Sequence, residues 1–255
     1  MYENITVHGI VLDTSLLKEY DKRLVILTSE LGRITVFANG ARRKNSQFTA
    51  VSQKFVMGSF ILRPGRTSYT LVGSEIKETF QELSRDIEAV TYASYACEVT
   101  EHFTAEGVGG KDELNLLYVT FKAILAGRQS LELIRSIFEI KLMDIEGLGL
   151  EMNKCVLTGS DKNLDYISLE DGGIISGDIL SENNSSRVKR PIPVSGDVKY
   201  AIQYILSRNL SEVYSFDVSV YVAEELAEIS SRYIELHSDR HFKSLDILSS
   251  LTLPI

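Results

Sequence analysis

The first third of the chain alternates apolar and polar residues in short runs, a pattern typical of β-strands buried on one face. Five such runs predict strands over 5–12, 23–28, 33–38, 55–62 and 68–72. In the third run, alternate positions from Ile34 to Ala38 are apolar, which places Arg33 and Phe37 together on the opposite, outer face. Five short strands with a longer connection between the third and the fourth predict a small, OB-type Greek-key β-barrel.

From residue 84 onward, apolar residues recur three and four positions apart, as they do in amphipathic helices. Helices are expected over 84–103, 111–125, 130–145, 195–209 and 217–237, with a short one from Ser244. The predicted fold class is therefore α+β, with two domains. An N-terminal five-stranded OB-type barrel over 1–80 is followed by an all-helical domain over 81–255.

The segment from about 147 to 186 departs from this pattern, since it has weak periodicity and many turn-forming residues. Its stretches CVLTG (155–159) and GGIIS (172–176) are similar to the two knuckles of a zinc ribbon. A structural zinc ion needs four thiolate or imidazole ligands. Cys155 is the only cysteine or histidine in this segment. We therefore expect a zinc-ribbon-like insertion that is free of metal, and no cofactor.

Charge divides the chain at the same place as the periodicity. The 255 residues carry a net charge of −8, yet residues 1–80 hold 11 Lys and Arg against 7 Asp and Glu, a net of +4. The rest holds 16 against 28, a net of −12. No acidic residue occurs between Leu31 and Ser74, and the cations of this window are Arg33, Arg42, Arg43, Lys44, Lys54, Arg63 and Arg66.

These cations fall on parts that OB-type barrels use to bind oligonucleotides, including the third strand and the 4–5 turn. A phosphate backbone is neutralised by cations at intervals, and aromatic rings between them stack on bases. The alternative for the cations is an ordinary solvated face. Other aromatic residues, Phe48, Phe55, Phe60 and Tyr69, are expected to pack inside. We predict a nucleic-acid surface formed by Arg33, Phe37, Arg42, Arg43, Lys44, Lys54, Arg63 and Arg66.

Several classes of protein are not expected. No apolar run approaches the ~18 residues of a membrane span, and the N-terminus has no cationic lead before an apolar core. We therefore expect a cytoplasmic protein without a membrane partner. The sequence also has no phosphate-binding P-loop, no His-Glu-x-x-His and no Gly-x-Ser-x-Gly motif, so an enzyme is not expected.

Particular stretches carry a resemblance to a known family over essentially the whole chain. ANGARRKNS at 38–46, the DGG of the degenerate knuckle at 171–173 and HSDRHFKSLDIL at 237–248 follow one another in that order. Together they resemble the RecO family of bacterial recombination mediators. In many members of that family four cysteines hold zinc. Here Thr158, Ser176 and Ile179 stand at three of those positions, which implies that the zinc site is lost.

The resemblance implies a non-enzymatic DNA repair protein of the RecF pathway, associated with the nucleoid. It would bind single- and double-stranded DNA and anneal complementary strands. With RecR it would assist the loading of RecA onto DNA coated by single-strand binding protein (SSB), and it would contact the acidic C-terminal tail of SSB. The alternative is a protein-interaction adaptor, whose basic patch receives an acidic peptide such as the SSB tail.

Overall fold

The computed structural model describes residues 3–181, 188 and 190–251. Contacts between residues group the chain into two compact units, Met1–Leu125 with Phe242–Ile255, and Ala126–His241. The predicted domains, 1–80 and 81–255, are a different division of the chain and stay a prediction. The helices are a 3-10 helix (Gln81–Arg85), α1 (Ile87–Phe103), α2 (Lys111–Ala126), α3 (Leu131–Ile145), α4 (Asp178–Ser181), α5 (Gly196–Ser207), α6 (Val220–His237) and α7 (Lys243–Leu251).

Five strands at the start of the chain form a closed barrel. They are β1 (Ile5–Leu16), β2 (Lys22–Thr28), β3 (Gly32–Ala38), β4 (Met57–Pro64) and β5 (Tyr69–Glu78). Their order around the barrel is β1-β2-β3-β5-β4, and β4 pairs with β1 to close it. The β3–β5 pair is parallel and the others are antiparallel. The predicted α+β class with an N-terminal five-stranded barrel is confirmed.

The strand β1 continues to Leu16, beyond its predicted end at residue 12. The register with β2 shifts between Val11 and Asp13, which marks a bulge at Leu12. A bulge adds one residue to the strand, so the side chains after it point to the opposite face from the one that strict alternation predicts. The polar residues after Leu12 therefore resemble a loop in the sequence, although they pair with β2 as far as Leu16 and Lys22.

Alternate residues of the strands fill the barrel interior. Val36 and Ala38 are fully buried, and Phe37 between them is only half-buried, as the alternation predicted. Phe60 is also fully buried, and Phe55 is 4% exposed, which confirms that both rings pack rather than face solvent. Burying a side chain of this size contributes about 1.5–3 kcal/mol, so the interior supplies much of the stability of the barrel.

Helices of the same unit cover part of the outer barrel surface. Gly110, directly before α2, donates its N–H to Thr28 O at 3.0 Å, and the neighbouring Leu27 is fully buried although its side chain points out of the barrel. Asp86 caps α1 by accepting hydrogen bonds from two backbone N–H groups of its first turn. The final helix α7 packs on α1, and the ring centroids of Tyr95 and Phe242 are 5.8 Å apart.

The second unit contains α3, α5 and α6, with α3 packed on α6. Serine residues cap these three helices, each accepting a hydrogen bond from an N–H of the first turn: Ser130, Ser195 and Ser219. Between α3 and α6 the carboxylate of Glu139 is buried, and the Ser230 hydroxyl donates to it at 2.5 Å.

The region predicted to be all-helical also contains a small sheet. Strands β6 (Leu164–Ser168), β7 (Gly173–Ser176) and β8 (Ile192–Pro193) form it in the order β7-β6-β8. Two of these strands lie in the predicted insertion. They are short and lie between turns, so the hydrophobic periodicity of the sequence did not predict them. The end of that insertion, after residue 181, lies outside the described residues.

The barrel interior yields a stability prediction. Replacing Phe60 by Ala removes a fully buried ring, so unfolding in urea is expected to cost about 3–5 kcal/mol less. The matched control is the neighbouring Ile61→Ala, at a side chain 39% exposed on the outer face, with an expected change within about 1 kcal/mol. Equal losses of stability in the two variants would contradict this strand phase.

Candidate nucleic-acid interface

Three connections meet at one end of the barrel. Leu16, the last residue of β1, pairs with Lys22 of β2, and Lys22 pairs with Ala38, the last residue of β3. On the other side of β3, Phe37 pairs with Thr70, which follows the β4–β5 turn. The β1–β2 loop, the exit from β3 and the β4–β5 turn therefore lie together. We call residues 17–21, 39–46 and 65–68 and the strand residues beside them the basic end.

One residue from each of four strands forms a row across the outer surface of this end. Arg23 pairs with Phe37, Phe37 with Thr70, and Thr70 with Arg63. Residues directly opposite on neighbouring strands share a face of the sheet, so the row presents a cation, a ring, a hydroxyl and a second cation. Arg63 is exposed and the other three are half-buried.

The stretch after β3 is held against the β1–β2 loop by hydrogen bonds. Gly40 has φ +69° and donates its N–H to Asp21 Oδ1 at 2.7 Å. A positive φ is readily adopted only by glycine, and it lets the chain turn sharply where it leaves β3. Arg42 donates its N–H to Tyr20 O at 3.0 Å and its Nη1 to Glu19 O at 2.9 Å. The two segments therefore form one ordered surface.

Cations crowd this surface. Arg42, Arg43 and Lys44 are exposed, as is Arg66 in the β4–β5 turn. Burial and the nearby charge of Arg42 lower the pKa of the Lys22 ammonium, which donates to Ser52 O at 2.8 Å. Like charges close together repel one another, so a bound anion would relieve an unfavourable interaction at the basic end.

Two of the predicted site residues lie elsewhere. Arg33 is four residues before Phe37 on β3, about 13 Å away at 3.3 Å per residue. Its Nε donates to Thr104 O at 3.1 Å, just beyond the end of α1, and its Nη1 lies 3.9 Å from Glu101 Oε1. These contacts give Arg33 a role in joining β3 to α1, and its assignment to a DNA surface has no support in this placement.

Lys54 is not part of the basic end as defined above, although it lines one cavity together with Ser46. It is half-buried, and its ammonium lies 5.5 Å from the centroid of the Phe55 ring. The following residue donates its N–H to Val11 O, in the middle of β1. The structure therefore brings together six of the eight predicted residues: Phe37, Arg42, Arg43, Lys44, Arg63 and Arg66.

Sequence reasoning missed four residues of this surface. Arg23 joins it only through strand register, which the sequence does not show. Leu16, Leu17 and Tyr20 are 67%, 47% and 44% exposed around the β1–β2 loop. These three residues were missed because residues 13–22 were interpreted as a polar loop. Two adjacent leucines inside a polar segment could have indicated an exposed apolar site.

The knuckle-like segment contains one potential thiolate ligand, Cys155. The Cys155 thiol is buried, which would raise its pKa, but hydrogen bonds from the Thr158 side chain and from backbone groups at Ser176 and Leu157 outweigh burial and lower the pKa. Hydroxyl groups and the aliphatic Ile179 are not structural zinc ligands. Within the described part of the chain, no three His, Cys, Asp or Glu side chains are grouped to hold a metal. The absence of zinc stays a prediction.

No helix among the residues described is both long and apolar enough to cross a membrane.

Two family models match the chain, in the same order as the barrel and the helices. The model described as "Recombination protein O N terminal" matches residues 1–80, and "Recombination protein O C terminal" matches residues 84–246. The chain belongs to the RecO family of DNA repair proteins. The resemblance read from the basic stretch and the terminal segment is thereby confirmed. The RecO N-terminal match ends directly before the 3-10 helix at Gln81.

Whole-length relatives agree with the RecO models. The DNA repair protein RecO of Alkaliphilus metalliredigens is 32% identical over 249 residues, which cover 97% of this chain and 99% of that protein. RecO of Clostridium kluyveri is 28% identical over 244 residues, covering 95% and 92%. RecO of Clostridium acetobutylicum is 29% identical over 242 residues, covering 94% and 95%.

The crowding of cations at the basic end predicts a measurable pKa change. Burial is the larger cause of the lowered Lys22 pKa and repulsion by Arg42 the smaller, so Arg42→Ala should raise that pKa part of the way toward its ordinary value. NMR titration of the lysine ε-carbon signals measures it. Arg66→Ala, which also removes one exposed cation from this end, is the control and should leave the Lys22 pKa unchanged.

The metal ligands available in the knuckle-like segment predict that the stability of the protein does not depend on zinc. Protein purified from medium containing zinc should carry clearly substoichiometric zinc by elemental analysis, and a chelator should leave its thermal midpoint unchanged, since Cys155 is the only thiolate donor there. One zinc ion per chain, with a midpoint that falls on chelation, would contradict this prediction.

Proposed function

We propose that this protein is a non-enzymatic DNA repair mediator that binds single- and double-stranded DNA through the basic end of its barrel. In this role it anneals complementary strands in the bacterial cytoplasm and, with RecR, assists the loading of RecA onto SSB-coated DNA. The observation that carries the proposal is the meeting of exposed cations from the β3 exit and the β4–β5 turn at one end of the barrel, continued by the row from Arg23 to Arg63.

The spacing of this surface suits a phosphate backbone. Four neighbouring strands at about 4.8 Å each make the row roughly 14 Å long. One strand of DNA carries a phosphate every ~3.4 Å, so such a length faces about four of them. Phe37 lies between the two arginines of the row, where a ring can stack on a base without reading its identity.

Annealing requires two polyanions to approach each other. A surface that neutralises phosphates without contacting base edges lowers the repulsion between any two strands, whatever their sequence. Among the described residues, the cations of the basic end lie on loops and strands and not on a helix that could enter a groove and read base edges. Binding with little sequence preference follows from that arrangement.

The second candidate function is that of an adaptor for an acidic peptide such as the SSB tail. The same exposed cations, Arg42, Arg43 and Lys44, would attract its carboxylates. In the unit of residues 126–241, a groove of about 450 Å³ is apolar, but Asp197 and Asp217 lie at its rim. Their charge is of the same sign as an acidic tail, so complementarity favours the barrel for this peptide as well.

The two functions are separated by one variant. Replacing Arg42, Arg43 and Lys44 by Ala should weaken binding to every DNA sequence, and the slope of log K against log salt should fall by about 0.9 for each phosphate that the variant no longer neutralises. Fluorescence anisotropy over a salt series measures both quantities. The control Lys111→Ala, Arg128→Ala, Lys162→Ala removes the same charge at exposed residues that are not part of the basic end and should change neither.

Titration of the same variants with an acidic tail peptide tests the adaptor. A loss of peptide affinity, with DNA binding and annealing retained, would support the adaptor and overturn the mediator mechanism. Equal DNA affinities for the two triple variants would place the DNA site outside the basic end.

A further inference from the structure

The β1–β2 loop carries a small apolar tip at the basic end. It consists of Leu16, Leu17 and Tyr20, which are 67%, 47% and 44% exposed. A single exposed apolar side chain is normal on a protein surface. Three within five residues, on a tight loop beside a cluster of cations, are a contiguous feature that needs a chemical explanation.

The tip is ordered by its own backbone. Leu17 donates its N–H to Asp21 O at 3.1 Å, which closes the loop. Asp21 and Tyr20 in turn accept hydrogen bonds from Gly40 and Arg42. The loop is therefore held by its own closing hydrogen bond and by the segment after β3, so its exposed apolar side chains can bind a ligand at little further conformational cost.

Cations surround these side chains. The guanidinium of Arg43 lies 5.7 Å from the centroid of the Tyr20 ring, a cation–π distance. Lys18 on the loop and Lys44 beside it are exposed. Arg42 is tied to the loop by its hydrogen bond to Glu19 O. A matching ligand must carry flat apolar faces and negative charges within a few ångströms of one another.

Unpaired nucleotides have that combination and paired ones do not. A single strand exposes the faces of its bases next to its phosphates, and those faces stack on aromatic or apolar side chains. In a duplex the same faces are covered by neighbouring base pairs, and the phosphates are the most accessible groups. The cations can contact both forms of DNA, whereas the apolar tip can contact only the unpaired bases.

We propose that Leu16, Leu17 and Tyr20 form a base-contacting tip by which the basic end distinguishes single-stranded from double-stranded DNA. The proposal rests on the proposed DNA-binding function and adds the origin of strand preference. It has a consequence for annealing: when two bound strands pair, their bases leave the tip, and the duplex is held by the cations alone. The product is then released more readily than the substrates.

The test uses the full chain with Leu16→Ser, Leu17→Ser and Tyr20→Ala combined. Anisotropy compares a labelled single strand with the matching duplex at one salt concentration. Base stacking of the usual strength corresponds to a loss of about 5- to 150-fold in single-strand affinity. Duplex affinity should change less than about twofold, and the single-strand salt slope should stay the same because no cation is removed.

A matched variant controls for loss of apolar surface as such. Ile87→Ser, Val108→Ser and Tyr221→Ala remove side chains that are 61%, 67% and 79% exposed elsewhere, and their DNA affinities should stay at the wild-type value. Thermal midpoints of both variants verify folding. As a direct readout, 2-aminopurine in the single strand should change its fluorescence on binding wild-type protein and much less on binding the tip variant.

The outcomes separate this inference from the proposed function. Suppose that the Arg42, Arg43 and Lys44 variant loses DNA affinity. If the tip variant then loses affinity equally for single-stranded and double-stranded DNA, or keeps its affinity for both, the tip does not distinguish the two forms and only this inference fails. If the cation variant keeps its DNA affinity, the proposed function itself fails. Binding to anionic lipid vesicles that depends on the tip, with unchanged single-strand affinity, would assign the tip to a membrane surface and overturn the inference.

Discussion

The parallel pairing of β3 with β5 joins the β4–β5 pair to the first three strands of the barrel, and the composition of the basic end depends on it. The pair brings Thr70 beside Phe37, and through Thr70 it brings Arg63 into the same row as Arg23. An open sheet with the same strands would leave the β4–β5 turn far from the β3 exit. Barrel closure therefore turns cations that are distant in sequence into one surface.

Placing the cations of the basic end close together is electrostatically unfavourable. Burial and, as the smaller cause, repulsion by Arg42 lower the pKa of the Lys22 ammonium, and Arg42 uses its guanidinium to hold the backbone of the β1–β2 loop. The chain places this positive charge in a protein of net charge −8. If these cations served only solubility, they could be spread over the protein surface. Clustered cations are favourable where a bound anionic polymer supplies the compensating charge.

In the knuckle-like segment, hydrogen bonds and apolar packing surround the one cysteine. Thr158 and backbone N–H groups surround the Cys155 sulfur, and Ile179 is 8% exposed in the packing nearby. Hydrogen bonds and a small sheet occupy the place in the chain where the resemblance implies metal coordination in other members. The family match extends over this segment without interruption.

The sequence by itself determined the local features: the face on which Phe37 lies, the helical segments from residue 84 onward and the division of charge. These follow from composition and from periodicity, which acts within a few residues. Only the tertiary structure decided that Arg23 joins the surface, that Arg33 turns to α1 and that Lys54 stays beside β1. It also decided that the β1–β2 loop presents an apolar tip and that a sheet forms after residue 163. Register, bulges and barrel closure depend on residues far apart in the chain, and no local pattern records them.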